Sequence, residues 1–561
     1  MSTKPPPITK TITGHVQGRW QDEEKIAVFK GIPYAKPPVG DLRWRPPQPA
    51  EPWDGVRETT KFGPFAPQYK PMVDGFIQLL IDGHGSHWLW KLTLKFFMMI
   101  IPFPKQSEDC LYLNVRTPDL DSGAKLPVMV WIHGGDHQAG SSGEPVYNSN
   151  KLPSHDVVVV SINYRLGLFG YLAHPELSAE SEHNVSGNYG TLDQIAALQW
   201  VQDNITHFGG DPDNVTIFGE SAGGESVAHM LVSPLARGLF HRAIMQSPAN
   251  GGQMRHLRQP FLHFESDEEQ GVYYAEKMVG VHGDNQIEQL RQKRFQELIT
   301  ITYQDYYWGM FYPTVDGYVI PQTPIQAFAE GNQAQVPLIV GSNWDEGTVI
   351  YPMFEAPLAE YRMFDLEPNS MPNYIQEVYG EDTPQLLQLY PGLEKREFFA
   401  ESDLIGDTMF GARARFYAEQ VALQGLPTYF YMFGRVPTGK NQTIGAFHAA
   451  ELAFVHGTNS PIIPVAENEK ELSRKMMRYW TNFAKAENPN DGGLAEWETF
   501  DPAEPRWMYF NTDRVEMEES RREVQYGLHR KRLIDVFLAK LGTERVANKQ
   551  GDRYRFLRPS D

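Results

Sequence analysis

Five residues, Gly219-Glu220-Ser221-Ala222-Gly223, carry the clearest chemistry in the chain. The β-branched and aromatic run Val215–Phe218 leads into them, and small residues with a helical pattern follow. Gly-x-Ser-x-Gly at a strand-to-helix turn is a nucleophile elbow: the flanking glycines let the chain turn tightly enough to expose the serine hydroxyl. The helix start behind it adds partial positive charge. A plain Gly-rich turn is spelled with the same letters, so the pentapeptide alone leaves both readings open. A serine hydroxyl is a poor nucleophile at neutral pH and needs a base within hydrogen-bond reach and an acid to orient that base.

The approach to the elbow is more specific. Phe208-Gly209-Gly210-Asp211-Pro212-Asp213-Asn214-Val215-Thr216-Ile217-Phe218 resembles the serine signature of the type-B carboxylesterases, the group of cholinesterases, liver-type carboxylesterases and bacterial para-nitrobenzyl esterases. Glu108-Asp109-Cys110-Leu111-Tyr112-Leu113-Asn114-Val115 is similar to the family's second signature. Phe29-Lys30-Gly31-Ile32-Pro33-Tyr34-Ala35 with Pro37-Pro38-Val39-Gly40 agrees. The resemblance runs over about residues 12 to 540, and the lack of disulfides is most similar to the bacterial branch. It implies an α/β-hydrolase fold and a serine carboxylic-ester hydrolase working through an acyl-enzyme, with no metal and no cofactor.

In that fold the partners follow in the order Ser, Asp/Glu, His. Gly341-Ser342-Asn343-Trp344-Asp345-Glu346-Gly347 resembles the family's acid motif with Glu346 at the triad position, and Asp345 is its neighbour and competitor. Gly445-Ala446-Phe447-His448-Ala449-Ala450-Glu451-Leu452 resembles the histidine motif. With 17 histidines, a single one is weak evidence; His448 is favoured by order and motif together, and His456 is its nearest rival. The implied triad is Ser221, Glu346 and His448. Glu220 and Ser247 match family positions near the histidine. Arg43 with Glu108 and Arg165 with Asp193 resemble structural ion pairs.

His133-Gly134-Gly135-Asp136-His137 stands where the family usually has His-Gly-Gly-Gly and an aromatic. By resemblance the oxyanion donors are the backbone N–H groups of Gly135, Asp136 and Ala222, since Asp also supplies an N–H. The Asp136 carboxylate is the departure. Either it acts beside the acyl centre, on the deacylating water or against developing negative charge, or it turns away to pair with His137 or a backbone donor.

Six aromatics, Tyr303, Tyr306, Tyr307, Trp308, Phe311 and Tyr312, precede Pro313-Thr314-Val315-Asp316-Gly317. In relatives this approach lines the acyl side of the gorge, so Trp308 and Phe311, with Val349 and Ile350 after the acid motif, are the expected walls of an apolar acyl pocket. Core packing is the plainer account of the same rings. Residues 70–105 form a long apolar insertion, with Trp88-Leu89-Trp90 and Phe96-Phe97-Met98-Met99-Ile100-Ile101 interrupted by Lys91 and Lys95. It is too short and too interrupted to span a bilayer and reads as a lid. An exposed lid would meet lipid interfaces through residues 88–101, whereas a buried one is extra core. The cholinesterase choline-site pattern is not recognisable in this insertion.

These residues must be held by a sheet. Short β-branched runs recur between longer helical stretches: Val128–Ile132, Val157–Ile162, Val215–Phe218, Ala243–Met245, Val336–Val340 and Thr428–Phe433. Such runs read as strands buried on both faces, the pattern of a largely parallel sheet covered by helices, so the class is α/β. Helical periodicity covers Thr191–Asn204 and Glu471–Ala484. The amphipathic tail from Glu523 is expected to pack back onto the core. No repeat or long linker divides the chain, which reads as one catalytic domain over 1–561, with the 70–105 insertion and a C-terminal helix and tail over 523–561.

Composition narrows the partners. The 561 residues carry 51 Lys+Arg against 70 Asp+Glu, a formal charge of −19, which works against nucleic acid and anionic membrane surfaces. At 41% hydrophobic the chain buries a core and is not disordered. The one cysteine, Cys110, excludes an intramolecular disulfide and a Cys-rich zinc site. Met1 to Gln17 has no apolar run of the secretory kind, so the expected compartment is the cytoplasm. Amide, carbamate or lactone hydrolysis in the same site, and a non-catalytic binding domain of the same fold, are the rival functions; the substrate of either enzyme reading is a small molecule.

Overall fold

The structure is a computed structural model that describes residues 4–23, 25–83, 105–249, 254–261, 265–304, 311–355, 371–439, 442–460 and 462–540. Its centre is an eleven-stranded sheet in the spatial order β14-β13-β12-β11-β10-β9-β7-β8-β6-β4-β3. The strands that matter for the site are β7 (Leu126–Ile132), β8 (Val158–Ile162), β9 (Gly210–Glu220), β10 (Arg242–Gln246), β11 (Leu338–Asn343), β12 (Thr428–Phe433) and β13 (Arg506–Phe510). These seven pair in parallel with one another. The edges turn antiparallel: β14 (Val515–Glu519) on one side, and β6 (Tyr112–Thr117), β4 (Ile26–Pro33) and β3 (Arg19–Gln21) on the other. A separate three-stranded sheet holds β1 (Ile8–Thr11), β2 (Gly14–Gln17) and β5 (Val56–Glu58).

Every residue of β8, β10, β11 and β12 is buried, as strands covered by helices on both faces must be. Two large apolar clusters divide the strand side chains between the two faces. Val128, Val130 and Ile132 go to one, and Met129 and Trp131 to the other, the alternation that a pleated strand imposes. The helix expected from Thr191 runs over Tyr189–Asn204, and the one expected from Glu471 over Lys470–Ala486. The tail does return to the core: in Glu523–His529 and the turns after it, Tyr526, Leu528, Ile534, Phe537 and Leu538 are buried. Most of the apolar insertion, including residues 88–101, lies outside the described residues; its first part is the helix Lys70–Gly83, with Leu80 and Ile81 buried.

No helix among the described residues is long and apolar enough to cross a membrane. Arg43 and Glu108 pair through two hydrogen bonds of 2.6 Å each, and Arg165 and Asp193 through two of 2.7 Å. All four are buried. The Arg43 guanidinium also donates to the carbonyls of Leu290, Arg291 and Lys293, tying distant turns to the second signature.

Candidate active site

The site is assembled where consecutive parallel strands end. β9 hands the chain to the helix Ala222–Val232 through Ser221, which is held at φ 57°, ψ −126°, a conformation that L-residues avoid. Close packing around the turn dictates the flanking glycines. A Cβ on Gly219 would lie 2.5 Å from the Gly223 carbonyl and 2.7 Å from Ile132 O, and one on Gly223 would lie 2.2 Å from Ile132 O. The Ser221 N–H donates to Gln246 O at the end of β10 (2.9 Å), locking the turn to the next strand. Ser221 itself is half-buried, although nearly everything around it is buried.

The acid comes from the turn after β11. Glu346 is 2% exposed. Its Oε1 accepts the Asn343 N–H (2.7 Å) and the Ser247 hydroxyl (2.5 Å), and its Oε2 lies 2.5 Å from His448 Nδ1. Both oxygens are thereby fixed, and the second is committed to the imidazole. Asp345 faces elsewhere: its Oδ2 accepts the Ala446 N–H at 2.6 Å and so fastens the histidine loop by its backbone.

His448 is buried, with Phe410 packed against its ring at 4.5 Å between centroids. Burial opposes its charged form, but the carboxylates of Glu220 and Glu346 outweigh this and bring its pKa up to about 9. Nε2, the nitrogen turned away from Glu346, lies 3.3 Å from Glu220 Oε1. No hydrogen bond joins the Ser221 hydroxyl to His448 among the described residues, and catalytic contacts of this kind commonly tighten only when substrate is bound. Burial pushes the Glu220 carboxyl well above the ordinary carboxylate range, with His448 pulling against it. Behind them Glu451, fully buried, accepts from Gln246 Nε2 (2.9 Å) and Asn343 Nδ2 (2.7 Å). Sequence reasoning placed Glu451 only as a letter of the histidine motif; its spacing three residues after His448 was the available signal.

The third component is the loop after β7. Gly135, Asp136 and His137 are successive residues with φ of 103°, 58° and 55°. Runs of positive φ turn backbone N–H groups into a common concavity suited to an anion. The loop is closed by Ala139 N–H to Gly135 O (2.9 Å) and by Gly167 N–H to His137 O (2.7 Å). It lies directly on the elbow, since a Cβ on Gly134 would sit 3.2 Å from Ser221 Cβ. Gly135 is exposed between half-buried Gly134 and Asp136, and its N–H meets no acceptor among the described residues. Ala222 opens a helix, so its N–H has no helical acceptor.

The Asp136 carboxylate accepts a hydrogen bond from the Tyr312 hydroxyl, a residue 176 positions away. Burial raises its pKa to about 7, with Tyr312 and His137 pulling it down. The ring of His137 is fully buried and approaches that of Tyr312 edge-on at 6.3 Å.

Of the expected pocket walls, Trp308 lies outside the described residues. Phe311 is 3% exposed and packs edge-on against Tyr274 (5.1 Å), inside a cluster with Trp44, Leu168 and Phe169. Val349 is fully buried in the cluster behind β9, and Ile350 is half-buried at its margin. His456, the rival histidine, sits among the rings of Trp131, Phe218 and Tyr147 at 4.6, 5.6 and 5.8 Å, and burial lowers its pKa to about 3. No group of three or more His, Cys, Asp or Glu able to hold a metal occurs among the described residues.

A large mostly parallel sheet with a serine elbow, a buried acid–histidine pair and a donor-rich loop at its strand ends is the architecture of an α/β-hydrolase. A sequence profile described as the Carboxylesterase family matches residues 5–529, and the chain belongs to that family of carboxylic ester hydrolases. Among curated relatives, a liver carboxylesterase of Sus scrofa is 39% identical over 535 residues, covering 89% of this chain and 88% of its own. Carboxylesterase 1D of Rattus norvegicus is 38% identical with the same coverage. Among solved structures, a PNB esterase superposes with a TM-score of 0.75 at 31% identity, covering 94% of this chain and all of its own. A Geobacillus stearothermophilus carboxylesterase superposes with a TM-score of 0.74 at 30% identity, over 93% of this chain and 99% of its own.

Proposed function

We propose that ester hydrolysis runs here through an acyl-enzyme on Ser221, with His448 as the proton carrier and Glu346 as its orienting acid. The observation that carries this reading is the 2.5 Å contact of Glu346 Oε2 with His448 Nδ1, which commits Nδ1 to the acid and leaves Nε2, beside Glu220, as the nitrogen to serve a hydroxyl. His448 takes the proton of Ser221 as Oγ bonds to the ester carbonyl carbon. The tetrahedral oxyanion is held by the N–H groups of Gly135, Asp136 and Ala222. The imidazolium then protonates the leaving alkoxide, and water repeats the sequence on the acyl-enzyme with the acid as product. Ser247 and Glu220 act on the partners: Ser247 through its hydrogen bond to Glu346, Glu220 through its charge beside His448.

The substrates in this reading are small carboxylic esters with apolar acyl groups, taken up near the segment that holds Trp308, Phe311, Val349 and Ile350. Ile350, half-buried against two apolar clusters, supports it, whereas the Phe311 ring turns into the core. The compartment is the cytoplasm, a reading supported by the single buried thiol of Cys110 in place of any disulfide closure. The whole is one catalytic domain over 1–561 that carries the apolar insertion of residues 70–105. A fluorophosphonate probe should label wild type at Ser221 and fail on Ser221→Ala, and a chromogenic ester series should show turnover rising with acyl length. A folded wild type that is not labelled at Ser221 would overturn the assignment.

A further inference from the structure

A second set of titratable groups lies against the loop of Gly135 and Asp136, around His137. Glu225 stands in the first turn of the helix Ala222–Val232 and is buried. Its Oε2 lies 3.5 Å from Nε2 of His137, the residue that follows Asp136, and its Oε1 lies 3.8 Å from Nε2 of His229. The two imidazoles stack at 5.9 Å. Burial lowers the pKa of His229 to about 4, so that ring is neutral. His137 is otherwise approached at Nδ1 by the Tyr171 hydroxyl, 3.4 Å away. The buried guanidinium of Arg413 is the nearby cation on the helix Ala412–Leu423, and it feels the Glu225 charge.

Such a carboxylate is costly. It is buried, and it sits at the helix end whose positive dipole would support an oxyanion, so an unbalanced negative charge there would weaken the site. Its position says what offsets this. The loop supplies Gly135 and Asp136, the helix supplies Ala222, and Glu225 is the side chain that reaches from the helix to the loop.

We propose that Glu225 is a positioning residue that ties the oxyanion loop to the nucleophile's helix through His137, fixing the spacing between the two halves of the oxyanion hole. The proposal rests on the assignment of Ser221 and the N–H donors given above. Removing the tie lets the positive-φ residues Asp136 and His137 relax, and an ångström of misplacement at a reacting centre costs about 10²-fold in rate.

The test uses Glu225→Gln, which keeps the shape and removes the charge, and Glu225→Ala, each on the wild-type and His137→Phe backgrounds. Four quantities are read: kcat and KM for one chromogenic ester, affinity for a trifluoromethyl ketone that forms a tetrahedral oxyanion, and affinity for a ground-state alcohol product. Glu225→Gln is expected to lower kcat about 10-fold or more with KM within about twofold, and to weaken the ketone in parallel while leaving the alcohol unchanged. On the His137→Phe background the same substitution should have less than about a threefold effect, because the tie is already gone. Equal losses on both backgrounds, unchanged kcat and ketone affinity, or a gain in either would overturn the proposal. Fluorophosphonate labelling of the wild type at Ser221 separates this from failure of the underlying assignment. If Glu225→Ala does not fold, Glu225→Gln decides.

Discussion

His448 and His456 lie eight positions apart in sequence, and both are buried, yet their surroundings drive them in opposite directions. At the ends of β9, β11 and β12, His448 is faced by the carboxylates of Glu220, Glu346 and Glu451, and its pKa rises to about 9. Behind β9, His456 is enclosed by Trp131, Tyr147 and Phe218, and its pKa falls to about 3. Burial acts against charge in both places; only the first region supplies opposite charge to outweigh it. A histidine becomes a proton carrier through the carboxylates it faces, and depth alone makes it one more aromatic ring.

The sharpest break between the two regions is in turnover. Ser221→Ala and His448→Ala should each lower kcat about 10⁴-fold or more in ester assays, whereas His456→Phe should stay within about tenfold of wild type. A dead His456→Phe with an active His448→Ala would reverse the comparison. Next in size is Glu346→Gln, expected to cost about 10²- to 10⁴-fold in kcat while fluorophosphonate still reaches the serine slowly, because the imidazole loses its orienting anion.

A finer probe is the pH profile. A base works only when neutral, so kcat/KM should climb with pH through an apparent pKa well above the ordinary 6.5 of histidine. Glu220→Gln removes the raising carboxylate beside Nε2, so the climb should move to lower pH; a limb that stays in place would detach Glu220 from His448. Stability supplies the smallest effect and again with opposite signs. The His448 contribution is complete below pH 6.5 and is lost as pH rises through about 9, because the folded pKa is the higher one. The His456 contribution is complete above pH 6.5 and is lost as pH falls toward about 3, at a limiting slope of about 1.4 kcal/mol per pH unit. Chemical denaturation of His456→Phe between pH 6.5 and 3 should show that slope reduced.

The parallel strands were legible because two-sided burial writes itself as uninterrupted apolar runs. Thr428–Phe433 has the expected bounds, and Val128–Ile132 and Ala243–Met245 differ from theirs by one or two residues. β9 begins at Gly210 because it extends back through polar Asp211–Asn214 at the sheet's rim, where burial no longer selects apolar side chains. Two outlying strands, β1 and β14, escaped for the same reason. β1 reads ITKT and β14 reads VEMEE, half-exposed segments whose partners, not their composition, make them strands. Motif order brought Ser221, Glu346 and His448 to neighbouring strand ends. The bond from Tyr312 to Asp136 and the reach of Glu225 to His137 had no sequence signal, since each depends on chain segments meeting only after the sheet has closed. The aromatic run misled in part: Phe311 turns into the core against Tyr274, while its neighbour Tyr312 turns toward Asp136.

The backbone of Ser221 holds a last lesson. Its φ of 57° and ψ of −126° suit a residue with no Cβ, so the hydroxyl is kept at a post where glycine would rest more comfortably. Ser221→Gly should therefore melt at a higher temperature than Ser221→Ala, and above the parent chain as well. In this molecule, disarming the enzyme and toughening it would be one and the same substitution.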